Sequence, residues 1–566
     1  MMKNYSKNIK YFALGGQDEK AKYSGVLEID DQIFILNTGI GDDITNQFGI
    51  SKVIPDLNFL KENKKRIKGI FLGTPEFLNI GSLPFFLETL EDVPIFTSKI
   101  GKTIITSWFS RKSKSENFRK KYAQIKVCRP LKTITVGNVE VTPFKVYNSM
   151  PDSFGWAFKT TKGSIVFIDQ FILANSKKPG FESQIHYLPR ITQNSVLALI
   201  VGLQNVGKNL GYAVPNYQNY GFLKRIIANS TNRILIACYD HDFMTVLNAV
   251  EIARNYGLKV MIYSNTWTKI FNQMVKMGYV NIDHLVFIDS KKVPNDQDLI
   301  VIITGNQDRL YHKMHKILTG EDQNISFNSQ DLFVLNTITQ SGIELREARL
   351  LDEISRKDVA TEKIKRTIHA PIAGNEDHKF LVNLLNPKWI FPIIGYHKDF
   401  NAYLEAVSSV INPHIVRFLD NGEVAILDQK SLPKTFHYPI YEQYVDFNGV
   451  VDIKTSALLE RQNMYTYGLV NINFIYCKEK KCFSEPEISS IGLISSDHDK
   501  NSDLDQLIIK MVKNELLKNL ALAENRDLDL KALKLQLKKI IQRLIDRQLQ
   551  KKPLVLITIG QFNVTP

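Results

Sequence analysis

Cysteine is scarce. The 566 residues hold four, Cys128, Cys238, Cys477 and Cys482. No two form a C-x-x-C pair, which excludes a zinc ribbon and a thioredoxin-type redox site. So few thiols in so long a chain fit a reducing cytosol. Cys477 and Cys482 flank Lys478-Glu479-Lys480-Lys481, which reads as a hairpin turn whose spacing also allows a cross-strand disulfide. Long apolar runs are missing as well. No stretch reaches the about 18 apolar residues of a membrane-spanning helix. The polar start, Met1 to Lys10, leads straight into a strand-like Tyr11-Phe12-Ala13-Leu14 with no signal-peptide core. The expected location is the cytoplasm, with no membrane partner. A phosphate-binding G-x-x-x-x-G-K-[ST] loop is absent, since Gly202 to Gly211 offers only Gly207-Lys208. Acidic residues are in deficit, 58 against 72 basic ones, for a net charge of +14. That excess favours a polyanionic partner such as nucleic acid. A lysine-rich usage inherited from an AT-rich genome produces the same excess without one.

What is present is ordinary globular composition, 44% apolar and 23% charged. The length predicts roughly three domains. Gly25 to Ile29 and Gln32 to Leu36 read as a hairpin around Asp30-Asp31. Strands at Ile67 to Leu72, Val139 to Val141, Trp156 to Phe158 and Ser164 to Ile168 suggest a sheet sandwich covered by helices. From about Gln204 to Asp358, strands and helices alternate at the spacing of a parallel α/β module. Leu432 to Thr455, with Pro433, Pro439 and Gly449, reads as a linker. The last hundred residues read as a strand from Leu469, helices Leu504 to Ala521 and Leu528 to Leu549, and a closing strand from Leu554.

Several fragments, in order, resemble the bacterial ribonuclease J family. They include Leu14-Gly15-Gly16, Pro55-Asp56-Leu57, Pro151-Asp152-Ser153-Phe154-Gly155 and Thr304-Gly305-Asn306-Gln307. Asn386-Pro387-Lys388-Trp389, Pro392-Ile393-Ile394-Gly395, Leu459-Glu460-Arg461, Pro486-Glu487-Ile488 and Lys552-Pro553-Leu554 continue the series. The resemblance implies a metallo-β-lactamase αββα sandwich over residues 1–203 and 366–431. A β-CASP α/β domain is inserted over 204–365, a linker follows at 432–455, and an α+β C-terminal domain spans 456–566. Enzymes of this family are exo- and endoribonucleases that use two zinc-type ions.

The family holds its metals with a Thr-His-x-His-x-Asp-His-Ile-Gly loop, a His before Ser-x-Pro-Asp, an Asp in Thr-Gly-Asp-Phe and a His in Pro-Val-His-Gly-Glu. Here the first loop reads Gly73-Thr74-Pro75-Glu76-Phe77-Leu78-Asn79-Ile80-Gly81. The ligand positions therefore hold Thr74, Glu76, Leu78 and Asn79, followed by Asn148, Gln170 and Ile394. Leu78 and Ile394 cannot coordinate, four others are neutral, and Glu76 is the one charged donor, with Asp169 beside Gln170. One carboxylate does not neutralise two dications. The expectation is no bound cofactor and no catalytic residue, in a degenerate relative of the second-paralogue type. It would bind RNA, or pair with a catalytic ribonuclease J paralogue or with itself, in RNA processing and mRNA decay. Two alternatives are a nuclease with residual activity around Glu76 and Asp169, and a purely structural protein-binding module.

Candidate RNA contacts are Trp108, Arg111, Lys112, Lys114, Arg119, Lys120 and Lys121, which interleave aromatics with charge. His369 adds one more, aligned with the first histidine of the family's His-x-Ser-Gly-His segment. The same stretch also reads as a solvated helix end. Lys534, Lys538, Lys539 and Arg543 read as the polar face of a helix. In Tyr239-Asp240-His241-Asp242, helix capping by Asp is the preferred reading over a metal cluster. His312 and His315 share a helix face without a third donor.

Overall fold

The computed structural model describes residues 8–41, 50, 52–90, 92–109, 124–214, 217–281, 293–339, 342–365, 367, 372–428, 433–446, 449–451, 455–493, 498–522 and 528–562. The chain divides into two compact units, one formed mainly by residues up to Gln443 and one mainly by those from Tyr444 onward. Among the described residues, no helix is long and apolar enough to cross a membrane.

In the first unit the expected hairpin is present. Ser24–Ile29 pairs antiparallel with Gln32–Leu36. Asp30 turns the corner at φ 57°, a left-handed conformation that Asp tolerates better than most residues. These strands belong to an eight-stranded sheet. Its spatial order is Lys434–His437, Glu423–Leu427, Ile9–Gly15, Ser24–Ile29, Gln32–Leu36, Ile67–Phe71, Ile95–Thr97 and Ile125–Val127. Neighbours are antiparallel up to Gln32–Leu36 and parallel beyond it.

A six-stranded sheet packs against it, ordered Trp389–Ile393, Val196–Gly202, Gly163–Ile168, Ser153–Thr160, Val139–Val146 and Ile134–Val136. The inner faces interdigitate through aromatic rings. Phe158 lies 5.6 Å from Phe34 and 5.0 Å from Phe71. The buried indole of Trp156 donates to the Leu72 carbonyl at 2.9 Å, satisfying its one polar atom. Burial of each such side chain stabilises by about 1.5–3 kcal/mol. Helices cover both outer faces. Phe59 of Asn58–Glu62 meets Phe12 of the first sheet edge-on at 5.0 Å. Asn375–Leu385 and His397–Val407 pack Leu381, Val382 and Tyr403 onto Val166, Leu199 and Ile390 of the second.

The α/β module is an all-parallel sheet in the order Lys259–Tyr263, Leu299–Gly305, Ile234–Tyr239, Leu332–Leu335 and Ala360–Lys363. Four of its strands carry the continuous apolar runs of a sheet buried on both faces. Asp242 caps Phe243–Tyr256 as expected, accepting from the Thr245 amide at 3.1 Å. Arg233, just before the central strand, is buried and bidentate on Asp331, at 2.9 and 2.6 Å. It also donates to the Pro294 and Ser326 carbonyls and to Asn295. A charge this deeply buried needs that full set of partners.

Part of the stretch read as a linker is ordered differently. Lys434–His437 is the edge strand of the eight-stranded sheet, paired antiparallel with Glu423–Leu427. All four of its side chains are exposed, so the segment has no apolar pattern to betray it. Flanking prolines are compatible with an edge strand, where missing N–H donors do no harm.

In the second unit, Leu469–Cys477 is central. It pairs antiparallel with Cys482–Phe483 and Glu487–Ile491, and parallel with Leu554–Phe562. Val470, Ile472, Phe474 and Val555 pack on Ile508 and Val512 of His498–Leu522 and on Leu537 and Ile541 of Leu530–Leu549. Lys534, Lys538, Lys539 and Arg543 lie on the second of these helices, none of them buried.

Candidate functional site

The seven positions that resemble metal-ligand positions follow the ends of four sandwich strands. Ile67–Phe71 leads through Gly73 to Thr74 and Glu76, and into the short helix Phe77–Ile80 with Leu78 and Asn79. Val139–Val146 leads to Asn148, Gly163–Ile168 to Asp169-Gln170, and Trp389–Ile393 to Ile394. Thr74, Glu76, Asn79, Asn148 and Gln170 are brought together, all buried, around the fully buried Asp169.

Asp169 is the hub. Its Oδ2 accepts from Asn37 Nδ2 at 2.8 Å, the Thr74 amide at 2.8 Å and Asn79 Nδ2 at 3.0 Å. Its Oδ1 accepts from Thr74 Oγ1 at 2.8 Å and the Gln170 amide at 2.7 Å. Burial pushes the carboxyl upward, and the hydrogen bonds from Asn37, Thr74 and Gln170 pull it back. Donors alone surround both oxygens, so this geometry fits the ionised form. The frame extends outward. Asn148 Nδ2 donates to Thr74 Oγ1 at 3.0 Å, while its Oδ1 accepts from the Met150 amide and Ser153 Oγ. Asn37 Oδ1 accepts from the Gly73 amide at 2.8 Å. Gly73 has no room for a side chain, because a Cβ there would lie 2.5 Å from Asp169 Oδ2.

Glu76 behaves differently. Its Oε1 accepts from Gln170 Nε2. Burial and then the nearby negative charge of Asp169 push it up to about 8, against the pull of Gln170. At neutral pH it therefore carries its proton. Ile394 points its side chain into the core between the sheets. Its backbone sits at φ 59°, costly for a β-branched residue, and its N–H donates to the Gly16 carbonyl at 3.0 Å. Leu78 is half-buried and supplies only its carbonyl, to Ile40. Among the described residues, no three His, Cys, Asp or Glu side chains gather as a metal-holding group.

Of the RNA-contact candidates, Trp108 closes the helix Lys99–Trp108, half-buried, its ring 5.8 Å from that of Phe77. Arg111, Lys112, Lys114, Arg119, Lys120, Lys121 and His369 lie outside the described residues. His241 stacks on Tyr239, and His315 pairs with Glu353 at 3.0 Å. Two residues escaped sequence reasoning. Asn37, which anchors Asp169, is a polar residue in Asn37-Thr38-Gly39 right after the apolar run Ile33-Phe34-Ile35-Leu36, and that abrupt switch was the available signal. His378 is buried between Phe171 and Tyr403, and burial drives it down to about 3, so it is neutral. Its place inside an apolar helix face gave no signal.

Comparison with known proteins agrees with this architecture. The Ribonuclease J, beta-CASP domain profile matches residues 231–354, and the Ribonuclease J C-terminal domain profile matches 456–562. An uncharacterized protein of Mycoplasma genitalium is 36% identical, over 97% of this chain and 99% of its own. Ribonuclease J2 of Bacillus subtilis is 25% identical over 87% of this chain and 89% of its own. Ribonuclease J 2 of Streptococcus pyogenes is 24% identical over 90% and 93%. A crystal structure of an Enterococcus faecalis protein of unknown function superposes with a TM-score of 0.51 at 15% identity, over 74% of this chain and 100% of that one, a likeness of fold alone. With its sheet sandwich, parallel α/β module and small C-terminal unit, the chain belongs to the ribonuclease J family, of metallo-β-lactamase and β-CASP fold.

Proposed function

We propose that this ribonuclease J family member does not hydrolyse RNA through a metal pair, and serves as an RNA-binding or complex-forming subunit in RNA processing and mRNA decay. One observation carries the reading: hydrogen bonds join the family's ligand positions to one another. Thr74 is tied to Asn148, Glu76 to Gln170, and Asn79 to the Asp169 hub. Two-metal hydrolysis needs cations about 3.5–4 Å apart that activate a water. Zinc needs imidazole, thiolate or ionised carboxylate donors. This cluster offers two carboxylates, Glu76 and an Asp169 whose lone pairs already serve five donors, beside neutral Thr, Asn and Gln side chains. The donor set does not fit two dications.

Support for RNA as a partner comes from the family and from the +14 charge. A catalytic ribonuclease J paralogue or a second copy of this chain is the proposed protein partner. RNA binding is tested on the purified full chain with single-stranded RNA across a salt series. The expected result is micromolar or tighter binding at low salt. The logarithm of the association constant should fall with log salt by about 0.7 for each phosphate contacted. Undetectable binding at low salt removes RNA from the proposal and leaves the protein partner, sought by pull-down with ribonuclease J paralogues.

A further inference from the structure

We propose that Cys477 and Cys482 form a reversible thiol–disulfide pair, closed by exchange with an anionic low-molecular-weight disulfide of the glutathione type. The two residues are direct cross-strand partners in the hairpin of Leu469–Cys477 and Cys482–Phe483. Residues directly opposed on antiparallel strands point to the same face. That face is the outer one. Ile475, two residues before Cys477, is 51% exposed, while Phe474 and Tyr476 turn inward.

The register also sets the reach. The Ser484 amide donates to the Ile475 carbonyl at 2.8 Å. Alternation along the ladder then makes Cys477 and Cys482 a hydrogen-bonded pair, with Cα atoms about 5.5 Å apart. Disulfides span Cα separations of about 4.4–6.8 Å, so the backbone spacing is within reach. The Cβ atoms, up to about 5.5 Å apart in such a pair, must draw in toward the about 3.5–4.5 Å of a disulfide, a strain that makes the bond more reducible. The hairpin is held in place independently, because Phe483 packs on Tyr476 at 4.9 Å and on Phe474 at 5.5 Å.

Both thiols are free and reachable, Cys482 exposed and Cys477 half-buried, whereas Cys128 and Cys238 are buried. Lys478, Lys480 and Lys481 outnumber Glu479 in the turn between them and attract an anionic disulfide. In the first step the Cys482 thiolate attacks one sulfur of glutathione disulfide. A mixed disulfide forms at Cys482 and one glutathione thiolate leaves. The Cys477 thiolate then attacks the Cys482 sulfur, the Cys477–Cys482 bond forms, and the second glutathione leaves. Two protein thiols lose two electrons and two protons, and the external disulfide takes them up to become two thiols. Exposed disulfides of this kind belong to the readily reduced class.

The full chain is equilibrated in glutathione buffers of graded ratio, quenched with an alkylating agent, and read by intact mass and peptide mapping. The expected product has lost two hydrogens, carries a single Cys477–Cys482 bond, and regains both thiols in a reducing glutathione buffer. Cys128 and Cys238 stay reduced and react only after unfolding. Cys477→Ser should halt the reaction at a glutathione adduct on Cys482. The proposal is overturned if both thiols stay free at the most oxidising ratio, or if each ends as a separate glutathione adduct. It is equally overturned if Cys482 links two chains, or if the bond survives a strongly reducing buffer.

Discussion

Glu76→Gln makes the protein more stable at neutral and alkaline pH and leaves it almost unchanged near pH 4. The group's pKa is about 8 in the folded chain against an ordinary 4.5. Below pH 4.5 both folded and unfolded states hold the proton, and the site contributes no pH dependence. Between pH 4.5 and 8 the unfolded chain releases a proton that the folded chain retains. Stability therefore falls as pH rises, by about 1.4 kcal/mol per pH unit for a group fully displaced in this way. Above about pH 8 the loss is complete and the curve levels. Glutamine keeps the shape and still accepts from Gln170 Nε2, but it has no proton to lose. Amide hydrogen exchange over residues 67–80 between pH 4 and 9, corrected for intrinsic rates, is the suitable measurement, since a chain of several domains need not unfold in two states. Parallel slopes for the two proteins would show that Glu76 is not held protonated.

Asp169→Ala is the most damaging single change expected in the first unit. It leaves Asn37 Nδ2, Thr74 N and Oγ1 and Gln170 N without their acceptor, and Asn79 Nδ2 with only the Thr74 carbonyl at 3.4 Å. Each orphaned buried donor costs about 1–3 kcal/mol, and water entering the vacated space recovers part of that. A net loss of about 5 kcal/mol is comparable with the whole stability of a domain. The variant should accumulate as insoluble protein at 37 °C. Asp169→Asn should also destabilise, despite its matching shape, because its amide N–H groups would face donors. A residue whose only task was to bind metal would behave differently, since its replacement would leave the metal-free fold intact. Soluble Asp169→Ala with a wild-type melting profile would contradict the hub role.

Much of the fold was legible in the sequence because its signals are local. Asp30-Asp31 marked the hairpin, Asp242 marked a helix start, and the apolar run Leu299–Gly305 with its flanking helices marked a parallel sheet. Thr74, Glu76, Asn79, Asn148 and Gln170, which cluster in the structure, were each singled out through the resemblance. Their mutual arrangement was not legible. Asn37 and Asp169 are 132 residues apart, and a polar pairing at that separation leaves no period or spacing to read. Asp169 was noted beside Gln170 and, with Glu76, as a donor in the residual-activity alternative, but not as a hydrogen-bonded hub. The structure makes it the centre, because consecutive residues after a strand end point in different directions. The edge strand Lys434–His437 was missed for a related reason: with every side chain exposed, it differs from a loop only in its backbone pairing.

We propose that the hydrogen-bonded frame around Asp169 stands in the place of metal chemistry. The most direct test is metal analysis of the purified full chain, run alongside degradation of single-stranded RNA with zinc or manganese supplied. Substoichiometric metal and no turnover above that of Glu76→Ala are expected. Stoichiometric zinc or manganese, with RNA turnover that Glu76→Ala abolishes, would contradict it.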